Sequence, residues 1–181
     1  MSDYINTYRK IKFHFGEEFN PDEINIEDIA HSLAMQCRAN GHIEQFYSVA
    51  QHCISCCREA KARGYSDRVQ LCCLLHDASE AYIADIPRPA KKMFKHYLTL
   101  EKQLSDAIYI KFMGAAPTDS EMALISEIDD AMLYYEFVAL ADERLYDTAP
   151  AIAAEFPKEY LLPKAAEAEY LALFRELSKA V

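Results

Sequence analysis

Residues 71–92 read LCCLLHDASEAYIADIPRPAKK, and this stretch decides the fold. Leu71 to Leu75 place the run beside a core. The polar residues that follow, His76, Asp77, Glu80 and Asp85, are of the types that hold metal ions or move protons. The pattern predicts a helix from Asp67 to about Ala84, capped by Ser66 or Asp67. It stops at Asp85-Ile86-Pro87, because Pro87 biases Ile86 to an extended conformation. On such a helix His76 and Asp77 lie about 100° apart and can reach one ion between them. Glu80, four residues after His76 and three after Asp77, shares their face one turn further along. Asp85, where the chain turns, can face back into the same cleft. Arg88, Lys91, Lys92 and Lys95 follow with no acidic residue among them, an island of positive potential suited to phosphate in a chain of net charge −10.

Outward from this stretch the same periodicity recurs. Residues 4–20 alternate weakly around Gly16, which predicts an extended or hairpin-like lead-in closed by Pro21. Ile26, Ile29, Leu33 and Cys37 predict a helix over 26–38, with Asn25 as N-cap and Glu27 and Asp28 in its first turn. Further helices are expected from Phe46 to Arg63, over 97–113 up to Gly114, from Pro117-Thr118-Asp119 to about Tyr146, and over 163–180. Nothing after residue 20 reads as a strand, so the fold class is all-α, a helical bundle with a short extended N-terminal lead-in.

His76 and Asp77 supply two ligands and cannot close a site. His52, in the preceding helix among small and apolar neighbours, is the best third, and Asp129 offers a carboxylate on a later helix, with Asp130 competing for that role. Two imidazoles and two carboxylates suit one divalent ion (Mn, Co, Fe, Zn, Ni or Mg), with positions left open for water and a substrate oxygen. Open positions fit catalysis better than scaffolding.

The ordered set His52, His76-Asp77 and Asp129, each on a predicted helix, resembles the HD-domain metal-dependent phosphohydrolases. The likeness covers about residues 22–140 and is closest in FYSVAQHC (46–53) and HDASEAYIADIPRPAKK (76–92). Within that superfamily the chain looks most like bacterial 5′-deoxynucleotidases and phage deoxynucleoside triphosphate triphosphohydrolases. The resemblance implies His52, His76, Asp77 and Asp129 as metal ligands and Glu80 and Asp85 as catalytic carboxylates. It implies Lys91 as a phosphate contact, with Arg38 as a further match. The expected activity is hydrolysis of (deoxy)nucleoside 5′-monophosphates, with triphosphates as the alternative substrate and a non-catalytic nucleotide-binding module as the alternative of another class. The family's members are oligomers, so a homo-oligomer is expected. One departure stands out. The deoxynucleotidases follow the arginine with a tryptophan that packs on the nucleoside, whereas Ala39 follows Arg38 here and the chain holds no Trp. His42, Phe46 or Tyr47 could build a different wall.

Composition bounds these expectations. At 181 residues and 51% hydrophobic, the chain can bury one core, so a single domain is expected, with 141–181 as packing or oligomer contacts. The acidic balance disfavours nucleic-acid polymers and anionic membranes. No apolar run approaches the roughly 20 residues that cross a bilayer, and the opening MSDYINTYRKIKF lacks a signal-like core, which predicts a cytoplasmic protein. Cys53, Cys56, Cys57, Cys72 and Cys73 read as buried thiols; a cysteine-based zinc or redox module is the competing reading. Tyr134, Tyr135 and Phe137 are expected to pack core or an oligomer surface.

Overall fold

The computed structural model describes residues 3–16, 18–157 and 159–181. It is an all-α bundle preceded by a small hairpin. Strands β1 (Tyr4–Asn6) and β2 (Lys12–His14) pair antiparallel, with Tyr4 opposite His14 and Ile5 opposite Phe13. The pleat sends Phe13 inward, where it stacks on Tyr82 at 4.1 Å, and leaves Lys12 and His14 outside. A 3-10 turn at Pro21–Glu23 leads into α1 (Ile26–Met35), whose cap Asn25 accepts from the backbone N–H of Glu27 at 2.8 Å.

Helix α2 (Val49–Ala62) is the centre of the bundle, packed by α1, α3 (Asp67–Leu75), α7 (Asp119–Leu140) and α8 (Pro163–Leu177). Eleven of its fourteen residues are buried, so it lies inside the bundle rather than showing one face to solvent. Tyr170 of α8 ties into α3 by donating to the Leu74 carbonyl at 2.8 Å. Leu71, Leu74 and Leu75 are all in the core, and truncating one to alanine costs about 2–5 kcal/mol. Two four-residue helices, α4 (Glu80–Ile83) and α5 (Arg88–Lys91), cross over to the long α6 (Lys95–Met113), which ends on Gly114 at φ 76°. Thr118 and Glu121 close a full capping box at the start of α7.

Four helix boundaries fall short of their sequence pattern, each for a tertiary reason. Helix α1 stops at Met35, not near Arg38, and α2 starts at Val49, not Phe46. The backbone between them pairs with itself: Arg38 N–H donates to the Tyr47 carbonyl at 2.9 Å, and Val49 N–H to that of Gln36 at 3.1 Å. Helix α3 ends at Leu75, and residues 76–79 form tight turns before α4 resumes, with Ala78 N–H donating to Leu75 and Glu80 N–H to Asp77, both at 3.0 Å. Helix α7 ends at Leu140, whose carbonyl is taken by Glu44 N–H at 2.8 Å. The irregular stretch beyond is anchored by the buried Glu59, which accepts from the N–H groups of Ala153 and Ala154. All six cysteines are free thiols, and no helix of the described residues is long and apolar enough to cross a membrane.

Candidate metal centre and its cavity

The predicted ligands come from three helix regions and meet at one point. His52, fully buried on α2, sends Nε2 to within 3.1 Å of His76 Nε2 and 3.1 Å of Asp129 Oδ1. Asp77 Oδ2 lies 3.3 Å from His76 Nε2 and 3.7 Å from His52 Nε2. Asp129 therefore takes the inward position on α7. Asp130, twice as exposed, pairs with Arg88 at 2.5 Å.

The other ring nitrogens define the tautomers. His76 Nδ1 lies 2.8 Å from the Cys73 carbonyl, which can only accept, so Nδ1 carries the proton. His52 Nδ1 donates to Glu136 Oε1 at 2.6 Å. The two Nε2 lone pairs then confront each other at 3.1 Å, and only positive charge between them, a shared proton or a cation, makes that contact favourable. Two carboxylates converge on the same point. Although burial opposes it, hydrogen bonds from His52 and His76 hold Asp129 well below the usual carboxylate range; against the same burial, His76, Arg38 and His52 lower Asp77. Although burial opposes it, the surrounding groups push both imidazoles well above their usual range, so with no ion present protons supply that positive charge; a divalent cation would displace them and meet two imidazoles and two carboxylates, whose charge it balances.

A cavity of about 600 Å³ opens onto this point. Around it stand Asp77, Glu80, Asp85, Asp129, Glu136 and Glu143 against Arg38, Arg88 and Lys91, so without a cation its field repels anions. Its lining also includes the apolar Ile43, Ile86, Leu133, Phe137, Leu140 and Leu145.

Two comparisons with known proteins bear on this arrangement. The uncharacterized protein YfdR of Escherichia coli is 34% identical over 141 residues, covering 78% of this chain and 70% of YfdR. The chain belongs to the YfdR family. An uncharacterized protein of Rhodobacter capsulatus is 40% identical over 98 residues, about half of each chain. No protein-family model matches the chain.

In this member of the YfdR family, the carboxylates expected to handle protons sit at the cavity floor. Glu80 is 3% exposed, and its Oε2 has no hydrogen-bond partner among the described residues. Burial first, then Asp77 and Asp85, pushes its carboxyl well above the usual range. Asp85 is also raised, by burial opposed by Arg38. The break after Leu75 means that Glu80 does not reach the site as the fourth residue along one continuous helix. Gln36 secures the segment instead: its Nε2 donates to the Glu80 carbonyl at 3.0 Å, and its Oε1 accepts from Asp85 N–H at 3.1 Å.

The cations lie among carboxylates. Lys91 already contacts Glu80 at 3.3 Å and Glu101 at 2.5 Å, and Arg88 forks onto Asp129 and Asp130. Two of the four cations of that island are thus paired, with carboxylates from α4, α6 and α7, while Lys92 and Lys95 are exposed. Arg38 is the more deeply placed cation, with Asp77 at 3.3 Å, Glu136 at 3.4 Å and Asp85 at 3.9 Å. Its turn holds Ala39 at φ 52°, a left-handed conformation that costs an alanine about 1–2 kcal/mol. Of the three side chains considered for a replacement wall, only His42 lines the cavity. Tyr47 is buried against Ser55, and Phe46 meets Tyr160. Phe137, expected in core or at a surface, is the aromatic that faces the cavity.

Glu136 was not singled out as a site residue by the sequence reading. It bridges His52 and Arg38, and its only sequence signal is its place seven residues after Asp129 on the same helix. A carboxylate behind a histidine fixes its tautomer and raises its basicity as a ligand.

Proposed function

We propose that the chain is a divalent-metal-dependent phosphohydrolase of the HD-domain kind, acting on (deoxy)nucleoside 5′-monophosphates. The observation that carries this reading is the facing pair of Nε2 atoms within reach of Asp77 and Asp129, two carboxylates that line a cavity with Glu80, Asp85 and Arg38. His52, His76, Asp77 and Asp129 would hold the ion, and Glu136 and the Cys73 carbonyl orient the two rings. A divalent ion bound there supplies charge that offsets the carboxylates and activates water near neutral pH. Arg38 neutralises charge on the phosphoryl oxygens. Glu80, whose buried carboxyl is pushed well above the usual range, serves as the proton donor to the leaving oxygen, and Asp85 orients the attacking water. The apolar wall around Phe137 takes the nucleoside body. A buried carboxyl pushed up beside a pair held down is the arrangement that splits acid from base duties.

The test is turnover by metal-stripped protein re-supplied with Mn²⁺, Co²⁺, Mg²⁺ or Zn²⁺ and given mono- and triphosphates of ribo- and deoxynucleosides, with products separated. Orthophosphate plus nucleoside from monophosphates is expected. Release of tripolyphosphate from triphosphates would instead select the triphosphohydrolase. Tight nucleotide binding without turnover under every metal would select a binding module instead.

A further inference from the structure

Two thiols stand beside the centre that the proposed reaction does not use. Cys56 follows His52 by four residues on α2, so it shares the histidine's face one turn along, and its Sγ lies 3.6 Å from His52 Nε2. The ligand atoms of His52, Cys56 and His76 all fall within 4.8 Å of one another, as do those of Cys53, His76 and Asp77. Both cysteines are free and buried. Their apolar neighbours point to the core; their spacing from His52 is the signal that separates them from Cys57, Cys72 and Cys73.

We infer that the centre has a second, sulfur-bearing ligand set for a strongly thiophilic cation of the Cd²⁺ or Cu⁺ class, made by His52, His76 and Cys56 with Cys53 at its edge. This rests on the reading that the histidine pair is a cation site. Each coordinating thiol forms one metal–sulfur bond and releases one proton to solvent. A hard ion such as Mn²⁺ prefers Asp77 and Asp129 and keeps positions open for substrate oxygen, whereas a soft ion prefers sulfur. A soft ion drawn onto Cys56 moves away from the phosphate side and closes its shell with protein ligands. Sulfur and carboxylate thus compete for one ion, and thiophilic metals act as inhibitors that occupy the centre without supporting turnover.

The test uses metal-stripped protein titrated with Cd²⁺ and followed by the ultraviolet charge-transfer band of cadmium thiolate. The band is expected to rise to a single equivalent, to lose most of its intensity in Cys56→Ala, and to persist in Cys57→Ala, with thermal melting checking each fold. Cd²⁺ bound without the band, or an unchanged band in a folded Cys53→Ala/Cys56→Ala variant, would overturn the inference. Mn²⁺ binding measured beside it separates the two failures. Mn²⁺ bound through His52 and Asp129 with no cadmium–thiolate band defeats only the sulfur set, while loss of both ions defeats the cation centre beneath it.

Discussion

Helix α2 and the segment 76–91 build the same centre by opposite means. Helix α2 is a continuous fourteen-residue helix, buried on nearly every side, and it holds His52 by backbone geometry and packing. The segment 76–91 is a string of turns and two four-residue helices, fastened by side-chain hydrogen bonds from elsewhere: Gln36 to Glu80 and Asp85, Ser32 to Ala81, Tyr97 to Ala84. The contrast divides the chemistry. One ligand, His52, comes from the rigid helix, whereas His76, Asp77 and the groups that must meet substrate come from a segment whose position a few hydrogen bonds decide.

The division is broken most severely at the ligands. His52→Ala should abolish metal binding and reduce turnover to background together, as seen by metal analysis of the purified protein beside its activity. Glu80→Gln should lower turnover by about 10²–10⁴-fold with the metal retained. The same substitution has a stability signature in metal-free protein. Glu80 is raised in the folded state, so above the ordinary carboxylate value of about 4.3 the folded chain keeps a proton that the unfolded chain has released. Stability then falls as pH rises through that window, by up to about 1.4 kcal/mol per pH unit, and Glu80→Gln should flatten the slope in denaturant melts at a series of pH values. Gln36→Ala sharpens the comparison. It should lower kcat about ten- to a hundredfold by loosening Glu80 and Asp85, cost about 1–3 kcal/mol, and leave the metal bound. The smallest effect belongs to the rigid side: Ser48→Ala removes the α2 cap, costs about 1 kcal/mol, and leaves kcat unchanged.

The two regions also differ in how legible they were. The interior of α2 announced itself through apolar content, and Asn25, Ser66, Gly114 and Thr118 marked helix ends, because caps and punctuation act on their own neighbours. The break after Leu75 did not, since LCCLLHDASEAY carries no residue that opposes a helix; the turn is maintained by contacts such as the bond from Gln36, forty-four residues away. The pairing of Lys91 with Glu101 and of Arg88 with Asp129 was hidden for the same reason, as was the bond between Glu136 and His52, eighty-four residues apart. That His52, His76, Asp77 and Asp129 belong together could be read from their order in the chain, whereas the partners of the other ring nitrogens could not, because a histidine's proton is placed by whatever faces it.

The centre itself is tested most directly by calorimetric titration of metal-stripped protein with Mn²⁺, comparing the unaltered chain with Asp129→Asn and Asp130→Asn. The geometry predicts one ion per chain, retained in Asp130→Asn and lost or greatly weakened in Asp129→Asn. Equal binding by folded Asp129→Asn would contradict it.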